Sequence, residues 1–359
     1  MVQRVESDRR EVRTALESLL EVIIRHGATI NPALRIVEHD GNVSVSADAP
    51  RGEILVDLPE ELFVPLKDAQ WDSVGDRLVI RRHGFNATEA QREVSEALVD
   101  VYNATGKLAL TRANHPLAVF EHDAEVVDVL KALRPTFFDP DSTPVDVFIG
   151  SRCYTHNGDR WLLPVIDLMN NRRSGAALRV VDGSMTVDVS RPSDADTDAE
   201  CFVYYGPRHD TIDLALIWGY LDCEVAFARS IPLVARVDRV GTIEVLGNYV
   251  RPRYAIDPPS LAIADDRLTI SHVTFEAQTP HYLYATLRLA VEALLRHTGS
   301  AVDSEVATHK VRSAIASLNL ERLAAAGAVL GRRSGKAADL VTAALERQRA
   351  TILRTTAAL

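Results

Sequence analysis

The sequence predicts an α+β fold in two parts: a mixed half over about 1–230 and a mainly helical C-terminal half over 231–359. Three observations carry that expectation. Short alternating or β-branched runs separated by turn residues fill 34–66 and return at 177–191, the pattern of small antiparallel sheets. Helical periodicity dominates 86–135, which defines a helical insertion at about 67–145. From 279 onward the strand signals stop, and three leucine- and alanine-rich segments with glycine-bearing turns follow.

The elements follow in order. REVRTALESLLEVIIRHG, residues 10–27, places Leu16, Leu19, Leu20, Val22, Ile23 and Ile24 on one broad apolar stripe, with Gly27 as the stop. LRIVEH, VSVSA and EILVDLP are separated by Asp40-Gly41 and by Pro50-Arg51-Gly52, and read as strands of one small antiparallel sheet. The next helix has its N-cap at Asn86 or Thr88 and stops at Gly106, and HDAEVVDVLKALRP gives another ending at a proline. ALRVVDG and MTVDVSR read as strands, 191–200 as an exposed polar loop, and CFVYYGPRHDTIDLALIWGYLD as strand, turn and helix. Residues 230–275 look mixed and partly loop-like.

Composition narrows the function classes. Hydrophobic residues make up 47% and charged residues 25%, the usage of a globular protein and not of a disordered chain or a rod. A net charge of -10 makes a nucleic-acid backbone a poor partner. Cys153, Cys201 and Cys223 are widely spaced with no CxxC pair, so they read as small buried hydrophobes in a reducing compartment. The charged N-terminus lacks the apolar stretch of a secretory signal, and no apolar run approaches the length of a membrane span. A cytoplasmic location is expected. Dinucleotide, P-loop, HExxH and GxSxG patterns are absent, and the 11 histidines have no tight metal-ligand spacing.

Two polar islands interrupt apolar runs. In LLPVIDLMNNRRS they are Asp167, Asn170 and Asn171; in VYYGPRH, Tyr204 and Tyr205 run into Gly206-Pro207, a tight turn. Buried polar groups need partners, so such islands mark either a structural network or a ligand site.

Together the islands resemble the SET-domain protein methyltransferases, in the branch of the Rubisco large-subunit lysine methyltransferases. That branch carries an Asp-hydrophobic-hydrophobic-Asn-His segment, then a Tyr-Gly-Pro segment leading into a helix. The resemblance extends to HGA at 26–28, PRGEILVDLPEELFVP at 50–65, GSRC at 150–153 and the helical tail, which is similar to the branch's substrate-binding domain. It is thinnest over 1–15, 67–100 and 235–275.

The resemblance implies a SET fold, S-adenosylmethionine as cofactor and no metal. Asn170 and Asn171 stand where the family holds the adenosyl moiety. Arg152 stands near the methionine end of the cofactor or the substrate channel, and Asp167 where chain segments cross around the pocket. Tyr205 matches the catalytic tyrosine, with Tyr204 and Trp218 as channel wall. Three positions depart from the family pattern: Asn171 replaces the usual histidine, Gly41 alone remains of a glycine-rich approach, and Trp218 replaces a tyrosine. The implied activity is N-methylation of a protein lysine or of a small amine or amino acid. The alternatives are a SET fold repurposed for another S-adenosylmethionine reaction and a non-catalytic binding protein.

Overall fold

A computed structural model of the chain describes residues 4–67, 69–82, 86–138, 142–190, 200–205, 209–247 and 258–358. It is an α+β structure of several small sheets with three long helices at the C-terminal end. The chain divides into two compact units, Met1–Ala113 with Ser142–Gly206, and Asn114–Asp141 with Pro207–Leu359.

The first unit opens with the helix Arg10–Arg25, which buries Val12, Leu16, Leu19, Leu20 and Ile23 and leaves Ile24 exposed. Leu34–His39 and Asn42–Ala47 form an antiparallel hairpin, and Val5–Glu6 adds to it in parallel. The third run of the expected single sheet lies elsewhere. Ile54–Pro59 is an inner strand of a separate four-stranded sheet, between Ser184–Asp188 and Thr29–Ile30. Its buried Leu55, Val56 and Leu58 suit a strand covered on both faces, whereas the alternating hairpin needs one covered face only.

The insertion expected to be helical from about 67 instead begins with a β-hairpin, Gln70–Val74 with Arg77–Arg82, turning at Gly75-Asp76. Helix Glu89–Ala104 follows, capped reciprocally by Thr88 and Gln91, so Thr88 and not Asn86 is the N-cap. Helix Lys107–Asn114 starts after Gly106. The unit resumes with helix Pro144–Gly150, a three-stranded sheet of Val64–Pro65, Asp159–Leu162 and Tyr154–His156, and the 3-10 turn Ile166–Leu168.

In the second unit, helix Ala124–Leu133 packs against Ser304–Leu330. Residues 233–270, read from the sequence as mixed and loop-like, hold a four-stranded sheet of Leu233–Val237, Gly241–Val245, Leu261–Ala264 and Arg267–Ile270. The tail forms the three expected helices, Pro280–Thr298, Ser304–Leu330 and Lys336–Ala357. None of the described helices is long and apolar enough to cross a membrane. The polar stretch 191–199 and the Gly206-Pro207 turn lie outside the described residues. Cys201 is buried as expected, but Cys153 is half-buried and Cys223 exposed, and all three are free thiols.

Candidate functional site

The two polar islands meet in the first unit. Strand Asn171–Ala177 runs parallel to Val203–Tyr204, and the pairing is irregular between Asn171 and Ala176. Gly175 sits at this irregularity. A Cβ there would lie 2.6 Å from the carbonyl carbon and oxygen of Val203, so only glycine permits the approach. Residues 200–205 are tied to several other segments. Cys201 donates its N–H to the Val45 carbonyl, Val203 donates to the Asn170 carbonyl, and Ala176 donates to Phe202. Glu200 bridges to Ser46.

Both asparagines act in this tie. The Asn171 Oδ1 accepts the Tyr205 backbone N–H at 2.7 Å. The Asn170 amide donates to Glu200 Oε1 at 2.6 Å and more weakly, at 3.5 Å, to the Val43 carbonyl. Burial pushes the Glu200 carboxyl up, and the Asn170 hydrogen bond partly offsets it. Tyr205 is thereby fixed at its backbone, and its phenol donates to the Met169 carbonyl at 3.0 Å. Burial raises this phenol to about 12; the Arg152 charge works against that rise and the Asp167 charge adds to it. At neutral pH Tyr205 is a protonated, positioned hydroxyl. Tyr204 lies half-buried in the short strand just before it.

Asp167 is the most constrained member. Val165, two residues earlier and fully buried, has φ 68 and ψ -44, a conformation that a β-branched residue adopts only under strain. The turn that follows buries Asp167 to 9% exposure. Asp167 Oδ2 accepts the Tyr102 phenol, while Oδ1 is buried without a hydrogen-bond partner among the described residues. Burial raises the carboxyl to about 6, held back by the Tyr102 hydrogen bond and by the Arg152 and Lys107 charges. The Arg152 guanidinium stacks over the rings of Phe148 and Tyr102, 4.6 and 5.7 Å from their centroids, and its Nε is likewise buried without a partner. Lys107, half-buried at the start of its helix, is lowered to about 8 by burial and by Arg152, with Asp167 and Glu38 opposing.

Gly41, the glycine remaining at the hairpin tip, also makes a close approach. It has φ +80, and a Cβ would fall 2.8 Å from the Thr105 carbonyl and 2.9 Å from Leu110 Cδ1. The chain that comes this near is the protein's own turn between the two helices. Neighbouring Glu38 carries a carboxylate shifted down: burial alone would raise it, but hydrogen bonds from Ser7, Arg9 and the Gly41 N–H outweigh burial.

Asp167, Arg152, Asn170, Asn171, Tyr204 and Tyr205 thus belong to one unit, whereas Trp218 belongs to the other. Trp218 ends helix Thr211–Trp218 and meets the His209 ring edge-on at 4.6 Å. Sequence reasoning missed Tyr102 and Lys107. Tyr102 interrupts the apolar stripe of its helix, the signal used for the two islands, and Lys107 directly follows a helix-stopping glycine.

Comparison with known proteins gives structural likenesses alone. No family model matches the chain, and no curated protein matches it. Solved structures of the SET domain of LSMT bound to MeLysine and AdoHcy, and of Rubisco LSMT bound to AdoMet, are similar over 96% of this chain and 91% of theirs. Their TM-scores are 0.49 and 0.48, at 13% and 12% identity. A third, the SET domain of LSMT bound to lysine and AdoHcy, aligns at 0.44 and 11% identity.

Proposed function

We propose that the chain is an S-adenosylmethionine-dependent N-methyltransferase whose acceptor is a protein lysine or a small amine or amino acid. The observation that carries the reading is the Tyr205 hydroxyl, fixed through Asn171 and the Met169 carbonyl and kept protonated by burial. It stands in the same unit as Arg152 Nε and Asp167 Oδ1, two buried atoms with no hydrogen-bond partner among the described residues.

The donor set fits the cofactor, which carries ammonium, carboxylate and sulfonium charges together. Asp167 Oδ1 can accept from a cation and Arg152 can donate to an anion, so Arg152, Asp167, Asn170 and Asn171 would hold it. When bound, the cofactor supplies a methyl group on a positively charged sulfur. Tyr205 contributes an immobile dipole at the reacting end, which costs no reorganisation during transfer. Its high pKa excludes a role as a strong base at neutral pH. The acceptor must therefore arrive neutral, which exclusion of water from an incoming amine favours. Tyr204, just before Tyr205 in the same unit, would line the acceptor channel.

A second reading, a non-catalytic binding protein, is favoured by the Thr105 turn filling the close-approach space at Gly41. Calorimetry with S-adenosylmethionine separates the two: saturable heat is expected for the enzyme, and none at millimolar cofactor would end that reading. In labelled-methyl assays on cell lysate, Tyr205→Phe should cut turnover about 100-fold, in the range known for loss of one preorganised donor, with cofactor affinity nearly unchanged.

A further inference from the structure

Helix Pro280–Thr298 of the second unit carries an apolar face that the chain leaves in solvent. Its buried side chains, from Leu283 and Leu287 to Leu294 and Leu295, pack inward. At 3.6 residues per turn, Tyr282, Leu289 and Arg296 fall together on the opposite side. Leu289 is 66% exposed, more than any other large hydrophobic residue among those described, and Tyr282 is 54% exposed. Two flanking elements extend the face. The Tyr284 and His309 rings meet at 5.4 Å, which sets the register against the antiparallel helix that follows, Ser304–Leu330. Val306, 51% exposed, is thereby level with Leu287 and Arg288. Strand Leu261–Ala264 packs on the same helix and exposes Leu261 at 43%. Single exposed leucines need no explanation, but four large apolar groups on one helix and its neighbours form a patch of the kind that marks an interface.

The face is symmetric about Leu289. Tyr282 lies seven residues before it and Arg296 seven residues after, two turns in each direction. Turned about a two-fold axis at Leu289, a second copy of the helix runs antiparallel to the first. Leu289 then meets Leu289, and each Tyr282 ring meets the other copy's Arg296 guanidinium. The small Ala285 meets Ala293, which lets the two helix axes come close. Charges match as well. Arg288 and Glu292 bond within one copy at 2.8 Å, and the two-fold sets each Glu292 beside the other copy's Arg288, closing a ring of alternating charge. Arg296 makes no hydrogen bond or ion pair among the described residues, so stacking on a tyrosine breaks no existing bond. A parallel packing would set Arg296 against Arg296, and an unrelated partner would need none of this symmetry.

We propose that this face is a homodimer interface, in which two copies of the chain pack helix Pro280–Thr298 antiparallel about a two-fold axis at Leu289. Residues 282–296 span about 21 Å of helix, so with Val306 and Leu261 each copy buries on the order of 500 Å². That is below the roughly 800 Å² per partner of a standard stable interface, so the dimer forms and separates with concentration. It does not depend on the methyltransferase reading.

Sedimentation equilibrium of the full chain tests it without any activity measurement. The wild-type mass should rise from one chain toward two between about 1 and 500 μM, with a Kd of tens of micromolar. Leu289→Asp sets two carboxylates against each other on the axis and should raise that Kd at least about 30-fold. Its thermal unfolding should match wild type, because the residue is exposed. Tyr282→Ala, which removes both cation–π contacts, should raise the Kd about fivefold or more. Position is tested by cross-linking in a Cys223→Ser chain, which lacks the exposed native thiol. Leu289→Cys should form a disulfide-linked dimer under mild oxidation, since a residue on the axis faces its own copy. Val74→Cys, at a similarly exposed residue of the first unit, should not. A wild-type chain that stays monomeric across the range would overturn the proposal. So would a Leu289→Asp chain that dimerises as wild type does, or equal cross-linking at positions 289 and 74.

Discussion

The chain contains two buried charge clusters that look alike in a residue list and differ in bonding. In the second unit, the Arg134 guanidinium reaches Asp210 and Asp213 at 2.6 Å each. Asp210 Oδ2 also accepts the Arg229 N–H and the Gln348 amide, and Oδ1 accepts the N–H groups of Ile212 and Asp213. Both aspartates are fully buried. Every charge there is answered from within the protein, and the result joins the start of one helix to a strand and to the last helix. In the first unit, Asp167 Oδ1 and Arg152 Nε are also buried, but neither has a hydrogen-bond partner among the described residues. Burying a charge unpaired costs several kcal/mol, so a fold retains such a group when something outside the chain completes it. Satisfaction, more than burial or residue type, separates the scaffold from the site.

The contrast can be broken at several points. Arg134→Ala should be the most severe change, costing about 3–5 kcal/mol because two buried carboxylates lose their cation. Denaturant unfolding would measure it, and a loss below about 1 kcal/mol would remove the distinction between the clusters. Asp167→Asn should alter a pH profile. Asp167, lifted by burial to about 6, keeps its proton in the folded chain where the unfolded carboxyl, near 4, has lost it. Stability therefore falls as pH rises from about 4 to 6, by on the order of 3 kcal/mol, and levels off above that. Unfolding curves of Asp167→Asn should lack this slope; an unchanged slope would assign it to another group. Arg332→Ala, which removes an exposed ion pair with Glu125, should shift stability by no more than about 0.5–1 kcal/mol. A larger shift would show that surface pairs hold the second unit as strongly as its buried ones.

Local structure was readable in the sequence wherever it is set by neighbouring residues. The stripe of Leu16, Leu19, Leu20 and Ile23 and the three tail helices follow from spacing, and capping chemistry narrowed the next N-cap to Asn86 or Thr88, of which the fold uses Thr88. Strand partnership was not, since Ile54–Pro59 carries no local mark of pairing with Ser184–Asp188 across a large sequence gap. The hairpin at 70–82 went unseen because its strands are mostly polar and exposed at the edge, with Leu78 the only member fully buried among them. For the site, the islands held Asp167, Asn171 and Tyr205, legible because each is a polar group in a mostly apolar run. Lys107 was invisible for the opposite reason. A lysine after a glycine reads as surface, and only the fold shows that it is half-buried.

Residues 200–205 have one more consequence. Their backbone groups bond to Val45 and Ser46 on one side and to Asn170 and Ala176 on the other, so they join parts of the chain far apart in sequence. Long loops must close before such contacts stabilise anything, which makes them late events in folding. We therefore expect the Tyr205 end of the site to be assembled last. In pulse-labelled hydrogen exchange during refolding, the Cys201, Val203 and Tyr205 amides should gain protection after those of the Leu34–His39 hairpin; simultaneous protection would contradict this order. A nascent or partly folded chain would then have its sheets and helices without a working site, and ligand competence would mark the finished molecule.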